Sequence, residues 1–178
     1  MWKIVVLILA VIIAAFVIVV AMRPGNFKIA RSITIKAQPS DAFALVNDFH
    51  KMDAWSPFMK MDPNVKKEYT GAPSGVGAGY AWMGSGKTGQ GKMMIVDSRP
   101  NELVEMNLEM VRPMKAVNSV EFTFKPEGDQ TKVTWAMSGR NSFVSKAFSL
   151  FFNMDKMVGA EFEKGLLDMK VMAEQSHK

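Results

Sequence analysis

The chain has 178 residues, enough for one domain with an appendage, and it contains no cysteine and only two histidines. The lack of cysteine excludes disulfides, thiolate metal sites and cysteine nucleophiles. His50 and His177 alone do not provide a multi-histidine metal site or a histidine-based triad, so we expect no metal and no cofactor. The net charge of +5 comes from scattered basic residues, with Lys66–Lys67 the only adjacent pair, which predicts a solvated surface and no nucleic-acid partner.

The N-terminal stretch from Ile4 to Met22 is nineteen residues long and carries no charge. At about 1.5 Å per helical residue it comes close to the ~30 Å hydrocarbon core of a bilayer. Trp2 supplies an interfacial aromatic side chain, and Arg23-Pro24-Gly25 ends the span. We therefore predict a single-pass membrane anchor over residues 1–24 and one domain over residues 25–178.

A cleaved signal peptide is the competing interpretation of the same stretch. Val19-Val20-Ala21 has the small residues of a cleavage site. The apolar region, however, is longer than a usual signal-peptide core, and the segment before it holds only Lys3. These two features favour an uncleaved anchor.

The charges that flank the span bear on its orientation. Arg23, Lys28, Arg31 and Lys36 follow the span, and only Lys3 and the amino terminus precede it. By the positive-inside rule this difference favours a cytoplasmic domain. A short anchor followed by a translocated domain remains the alternative.

The region after the anchor predicts a strand, two short helical pieces and six further strands. Phe27–Lys36 alternates apolar and polar residues, Gln38–Asp41 has the proline and acidic residue of a helix start, and His50–Pro57 follows as a second helical or irregular piece. Short runs divided by glycine and proline then predict strands at Val65–Thr70, Ala78–Met83, Gly91–Ser98, Leu103–Val111, Lys115–Lys125 and Thr131–Ser138.

Alternation along these strands predicts a sheet with one apolar face. Val104, Met106 and Leu108 alternate with polar residues, and the same pattern continues in the next two strands. Glu105, Glu109 and Glu121 fall on the opposite, solvated face, where pairing with lysines on neighbouring strands is the expected role.

The stretch from Ser142 to Gln175 is the longest with helical periodicity, and the apolar sheet face is the surface expected to receive it. Phe151-Phe152 followed by Asn153 predicts a break, which leaves a short apolar lid before a longer helix. Asp155 lies within the apolar stripe near this junction. If buried there, it would have a raised pKa suited to acid–base chemistry, with His50 or Arg140 as a polar partner. The alternative is that Asn153 or Asp155 caps the second helix.

Gly84-Ser85-Gly86-Lys87-Thr88 ends like a phosphate-binding loop. That motif must open a helix whose N–H groups hold the phosphate, whereas the residues from Gly91 onward predict a strand. We therefore interpret the stretch as a glycine-rich hairpin.

Several local motifs together resemble the SRPBCC superfamily, which has the helix-grip or START-like fold, and within it the polyketide cyclase/dehydrase and lipid-transport branch. The residues that carry the resemblance are Arg31–Ile35 with Ala37–Pro39, Val46–Phe49 with Trp55–Phe58, Gly77–Trp82, Thr131–Trp135, and Met154–Gly159 with Phe162–Leu166. The resemblance implies an α+β helix-grip domain, in which a curved seven-stranded antiparallel sheet wraps around a long C-terminal helix. It also implies a deep apolar cavity between the two, and it carries no catalytic motif.

These observations favour a membrane-anchored module that binds a hydrophobic small molecule or lipid. The residues expected to line the cavity are Trp55, Tyr80, Trp82, Met93, Met106, Phe122, Trp135, Phe151 and Asp155. One alternative is a polyketide cyclase/dehydratase-like enzyme that uses Asp155 as acid or base. Another is a stress-related protein-interaction module, which an exposed apolar patch without a cavity would favour; the sequence identifies no protein partner.

Overall fold

The computed structural model describes residues 2–84 and 88–176. It contains the elements that the sequence predicts, in the predicted order, and one further short helix at Pro57–Lys60. The helices are α1 (Trp2–Ala21), α2 (Pro39–Val46), α3 (Phe49–Asp53), α4 (Pro57–Lys60), α5 (Phe143–Phe148) and α6 (Met154–Ser176). The strands are β1 (Asn26–Ile35), β2 (Lys66–Gly71), β3 (Ala78–Met83), β4 (Gln90–Arg99), β5 (Leu103–Arg112), β6 (Ala116–Glu127) and β7 (Gln130–Arg140).

The seven strands form one antiparallel sheet in the order β1-β7-β6-β5-β4-β3-β2. The register places like residues beside one another: Val104 pairs with Phe122, and Phe122 pairs with Trp135. Because side chains alternate along a strand, this register gathers the large apolar residues on one face of the sheet. On the other face Lys92 pairs with Glu109 at 3.0 Å, which confirms the lysine pairing predicted for that glutamate.

Helix α6 packs its apolar stripe onto this face. Phe162, Leu166, Met169 and Ala173 recur every three or four residues, and all four are buried. Gly165 lets the helix approach closely, since a Cβ there would lie 2.8 Å from both Pro57 Cδ and Trp135 Cζ3. The α+β helix-grip architecture predicted from the sequence is therefore confirmed.

The predicted break in the C-terminal helical stretch is also confirmed. Helix α5 ends at Phe148 and α6 begins at Met154. The side chain of Asn153 accepts a hydrogen bond from the backbone N–H of Lys156 at 2.9 Å, so Asn153 caps α6. Residues 149–153 thus form a short connection between two helices that run separately.

Helix α1 is the one helix of the described residues with the length and composition to cross a membrane. Only its last turn meets the domain: Val20 is fully buried, and the ammonium group of Lys146 lies 3.4 Å from the carbonyl oxygen of Ala21. Just beyond the helix, the backbone N–H of Asn141 donates to the carbonyl of Gly25 at 2.8 Å. The end of α1 therefore contacts α5 and the residues just before it.

The glycine-rich stretch at Gly84–Thr88 comes between β3 and β4 in the sequence. Ser85, Gly86 and Lys87 lie outside the described residues. The backbone N–H of Gly84 donates to the carbonyl of Gly89 at 2.8 Å, and β4 begins at Gln90. The prediction that a strand follows this motif is confirmed. A phosphate-binding loop needs a helix at this position, and the structure has β4 there.

Candidate functional site

A cavity of about 780 Å³ lies where the sheet, α5 and the start of α6 meet. The start of β1, the start of β6 and the end of β7 share this end of the sheet, because the antiparallel register pairs Asn26 with Arg140 and Asn118 with Gly139. The 149–153 connection covers the space beside these strand ends. The volume falls in the range of roughly 300–1,000 Å³ that is usual for small-molecule sites.

The cavity has an apolar floor and an aromatic roof. Ile29 and Met137, neighbours in the sheet register, belong to the face that carries the core, so the floor continues the core outward. The roof is the end of α5 with the connection to α6. The lining residues are Arg23, Phe27, Lys28, Ile29, Met114, Ala116, Asn118, Met137, Arg140, Asn141, Ser145, Phe148–Asp155.

The charged groups of the lining are mostly basic. Arg23, Lys28 and Arg140 contribute three cations, and Asp155 contributes the only carboxylate among the lining residues. That carboxylate is already bonded to a cation outside the lining, as described next. The net charge at this site therefore favours an anionic group on a bound molecule.

Asp155 lies at the first turn of α6 and pairs with Arg31 of β1. The guanidinium Nη1 and Nη2 atoms lie 3.1 Å and 3.0 Å from the two carboxylate oxygens, and Nε donates to Glu163 at 2.7 Å. Hydrogen bonding to Arg31 holds the pKa of Asp155 below its usual value. The side chain is 60% exposed. The condition for a raised pKa, burial in an apolar site, is therefore not met, because the helix start places the carboxylate at the surface beside a cation.

Five of the residues expected to line the cavity belong to the packed core instead of the 780 Å³ space: Trp55, Tyr80, Met106, Phe122 and Trp135. Trp55, Met106 and Phe122 are completely buried. The indole N–H of Trp55 donates to the carbonyl of Leu45 at 2.9 Å, and its ring meets Phe122 edge-on with 5.9 Å between centroids. Aromatic packing thus fills the centre of the sheet face.

Trp135 completes this aromatic layer. Its ring stacks on Phe162 with 4.2 Å between centroids and on Phe122 with 4.9 Å. The indole N–H of Trp135 is the one buried side-chain polar atom of the described residues without a hydrogen-bond partner. An orphan donor of this kind costs on the order of 1–3 kcal/mol, so packing against the neighbouring rings outweighs it.

The remaining expected residues lie further from α6. Tyr80 is buried, its pKa is raised by burial, and its ring stacks on Trp82 with 5.7 Å between centroids. Trp82 lines a different space of about 530 Å³ at the β2–β4 side, and Met93 is half-buried against the core. Phe151 and Asp155 are the two expected residues that line the 780 Å³ cavity.

The two suggested polar partners of Asp155 lie apart. Arg140 lines the same cavity as Asp155. His50 stacks on Tyr69 at 3.9 Å between centroids and lines a separate space of about 230 Å³. The partner that Asp155 has is Arg31, which lies on the same face of β1 as Ile29 and Ile33.

Sequence reasoning missed the floor of the cavity. The alternating pattern predicts that Phe27, Ile29 and Met137 lie on strands, with their side chains on the apolar face of the sheet, as the structure has them. The end of the sheet that α5 covers depends on the strand register and on the position of the helix break. Neither of these can be inferred from the sequence of one strand. The break before Asn153 was the one signal that pointed to this end.

The described geometry can be compared with known proteins. Residues 26–174 match one protein family, described as polyketide cyclase/dehydrase and lipid transport. No curated protein matches the chain. The match begins at the start of β1 and ends in the last turn of α6.

Solved structures share this fold at low sequence identity. Protein CV1439 from Chromobacterium violaceum is 10% identical with a TM-score of 0.59, over 85% of this chain and 99% of its own. The Aha1 dimer from Colwellia psychrerythraea is 16% identical with a TM-score of 0.59, over 83% and 96%. The di-domain ARO/CYC StfQ of the steffimycin biosynthetic pathway is 11% identical with a TM-score of 0.62, over 85% of this chain and 52% of StfQ. This chain thus spans about half of StfQ, and the likenesses establish the fold alone.

Proposed function

Since the chain belongs to the polyketide cyclase/dehydrase and lipid transport family, we propose that it is a membrane-anchored module that binds a hydrophobic small molecule or lipid. The observation that carries the proposal is the cavity of about 780 Å³, with an apolar floor on the sheet and an aromatic roof from α5 and the 149–153 connection. Apolar walls supply most of the affinity for such a ligand, and a few polar groups orient it.

The proposed organisation has two parts, an anchor over residues 1–24 and a binding domain over residues 25–178. Helix α1 is long enough to span a bilayer, and its apolar side chains are exposed. An apolar ligand partitions into the bilayer, so a cavity that opens beside the anchor shortens the path from lipid to protein.

The charges of the lining refine the ligand class. Arg23, Lys28 and Arg140 line the cavity together with apolar side chains. This combination fits an amphiphile that has an apolar body and an anionic head, such as a fatty acid or an acidic lipid. Phe151 and Asp155 are the sequence-predicted residues that we propose to contact it.

The first prediction uses two adjacent residues of β6 that differ in where they point. Ala116 lines the cavity, whereas Val117 is 64% exposed and outside the lining. Ala116→Phe should fill part of the space and weaken binding about tenfold or more, because displaced ligand carbons lose their apolar contacts. Titration of the full chain in nanodiscs with a dansyl-labelled fatty acid, excited through the protein's tryptophans, measures this affinity.

Val117→Phe is the matched control, since it adds the same side chain on the opposite face of the same strand. It should bind the probe as the unmodified chain does. Equal affinities in all three proteins, or no saturable binding in any of them, would contradict the proposal.

A second function, acid–base catalysis of a cyclase or dehydratase kind, is less well supported by the site. Its one lining carboxylate, Asp155, has a lowered pKa and is held by Arg31. A carboxyl group that stays ionised near neutral pH is a poor general acid, and its low basicity makes it a weak general base. The geometry of Asp155 favours a structural role.

A further inference from the structure

The roof of the cavity carries exposed apolar side chains, three of which, Phe148, Phe151 and Phe152, also line the cavity. Phe143, Val144, Phe148, Phe151 and Phe152, here called the aromatic patch, are between 45% and 74% exposed. None of the six residues of α5, all within the described part of the chain, is buried. A helix with this composition and no buried residue leaves its apolar surface without a partner inside the domain.

The aromatic patch lies beside the end of α1. Helices α1 and α5 are in contact, Val20 in the last turn of α1 is buried, and the Lys146 ammonium group lies 3.4 Å from the carbonyl oxygen of Ala21. Ala21 is the last residue of the apolar helix, so it marks the level at which a spanning α1 leaves the hydrocarbon. The patch is therefore continuous with the surface of the anchor.

The domain has little freedom to move away from that level. Helix α1 ends at Ala21 and β1 starts at Asn26, so residues 22–25 form the whole connection. Four residues span at most about 14 Å when fully extended. The connection is also bonded to the domain, because Asn141 donates from its backbone N–H to Gly25 at 2.8 Å and from its side chain to the carbonyl of Pro24 at 3.3 Å.

Basic residues surround the patch. Arg23, Lys28, Arg140 and Lys156 are exposed near the cavity or the adjoining end of α6. Basic side chains at the membrane surface are attracted to the phosphate groups of the lipids. Phenylalanine side chains at the same surface can enter the hydrocarbon layer beneath those phosphates. An apolar patch bordered by basic side chains is the pattern of an interfacial membrane contact.

We propose that the aromatic patch inserts into the same bilayer leaflet that α1 leaves, so that the cavity opens at the headgroup level of that leaflet. This inference rests on the anchor of the proposed function and adds a second membrane contact with a defined orientation. The roof of the cavity then lies in lipid. The sheet that forms the floor lies on the side away from the membrane, with its polar face in water.

The absence of cysteine from the chain makes site-directed spin labelling a direct test. Single cysteines replace Phe151 in the patch, Ile12 in the middle of α1, and Val76 in the β2–β3 loop, and each full-length protein is reconstituted in phosphatidylcholine–phosphatidylglycerol vesicles. Val76 is the matched control, since it is an exposed apolar residue (58%) at the opposite end of the sheet from α1. Collision of the nitroxide with oxygen and with a water-soluble nickel complex reports its depth.

The label at Phe151→Cys should show a ratio of oxygen to nickel collisions several-fold higher than the label at Val76→Cys, and between those of Val76→Cys and Ile12→Cys. A label at Phe148→Cys should agree with Phe151→Cys, which guards against a local effect of one substitution. Thermal unfolding of each labelled protein verifies that it is folded.

Three results would overturn the inference, and they differ in what they leave standing. Equal nickel collision at Phe151→Cys and Val76→Cys, with Ile12→Cys in lipid, would remove the second contact and keep the anchor. Nickel collision at Ile12→Cys as frequent as at Val76→Cys would remove the anchor as well. Spin–spin broadening of the Phe151→Cys label that persists at a low ratio of protein to lipid would show that a second copy of the chain covers the patch.

Discussion

At the residue scale, the contacts of Arg31 decide what Asp155 does. Arg31 is the charged residue on the apolar face of β1, and its guanidinium group reaches Asp155 and Glu163 from α6. An arginine in an otherwise apolar alternation is costly unless it is paired, and the start of α6 provides the two carboxylates. The pair fixes where α6 begins on β1, and α6 in turn fixes where the roof of the cavity attaches.

A pH-dependent prediction follows from this pair. The pKa of Asp155 is lowered in the folded protein by the Arg31 hydrogen bonds, so its contribution to stability is present above its unfolded pKa of about 4 and is lost as the pH falls through the lower folded value. Asp155→Asn should therefore lower the melting temperature at pH 7, and the difference from the unmodified chain should shrink as the pH falls from about 5. Thermal unfolding at a series of pH values measures both.

The control is the same substitution in an Arg31→Met background, where the cation is gone. There Asp155→Asn should change the melting temperature by the same small amount at every pH. A penalty for Asp155→Asn in the unmodified background that is equally large at pH 3 and pH 7 would show that the side chain acts through packing or capping and not through its charge.

At the element scale, a glycine sets how closely α6 approaches β1. A Cβ at Gly159 would lie 2.1 Å from the Nη2 atom of Arg31 and 2.4 Å from its Cζ. Glycine normally weakens a helix interior by roughly 0.5–1 kcal/mol relative to alanine. Here it makes room for the guanidinium group.

Gly159→Ala should therefore lower the stability of the protein modestly, because the guanidinium group must move away from its two solvent-exposed carboxylate partners. In an Arg31→Ala background the same substitution should stabilise by up to about 1 kcal/mol through helix propensity. Chemical denaturation of the four proteins of this cycle measures the coupling. Additive effects, with Gly159→Ala equally harmful in both backgrounds, would contradict the close contact.

The elements themselves were predictable because local patterns encode them. Alternation identified the strands, Pro39 and Asp41 the start of α2, and Asn153 the start of α6. The site was harder to predict, since cavity position depends on which parts of the sheet face are filled. The sequence alone does not distinguish aromatic residues that line a cavity from those that fill a core. In the structure the rings of Trp55, Phe122 and Trp135 pack against one another. Contacts between residues far apart in sequence decide that outcome.

At the scale of the whole molecule, only residues 22–25 connect α1 to β1, and Pro24 and Gly25 are hydrogen-bonded to Asn141. If this junction positions the cavity at the membrane, six glycine and serine residues inserted between Met22 and Arg23 should slow the transfer of a fluorescent lipid from vesicles into the cavity several-fold. The stability of the domain should stay unchanged, because the insertion lies outside its core. Stopped-flow fluorescence and thermal unfolding measure the two quantities.

The same-length substitution Met22→Ser is the control, since Met22 is 82% exposed. It changes the chemistry of the connection without lengthening it, and transfer should proceed at the unmodified rate. An unchanged rate of lipid transfer after the insertion would contradict the idea that the short connection positions the cavity at the membrane.

The buried Val20 and the bonded residues 22–25 also have a mechanical consequence. Because the end of α1 contacts α5 and residues 24 and 25 are hydrogen-bonded to Asn141, we expect α1 and the sheet to change their tilt together. A spanning helix adjusts its tilt to the thickness of the bilayer around it. In a membrane, bilayer thickness would then set the angle at which the cavity meets the lipid headgroups, so that lipid composition could tune uptake without binding to the protein.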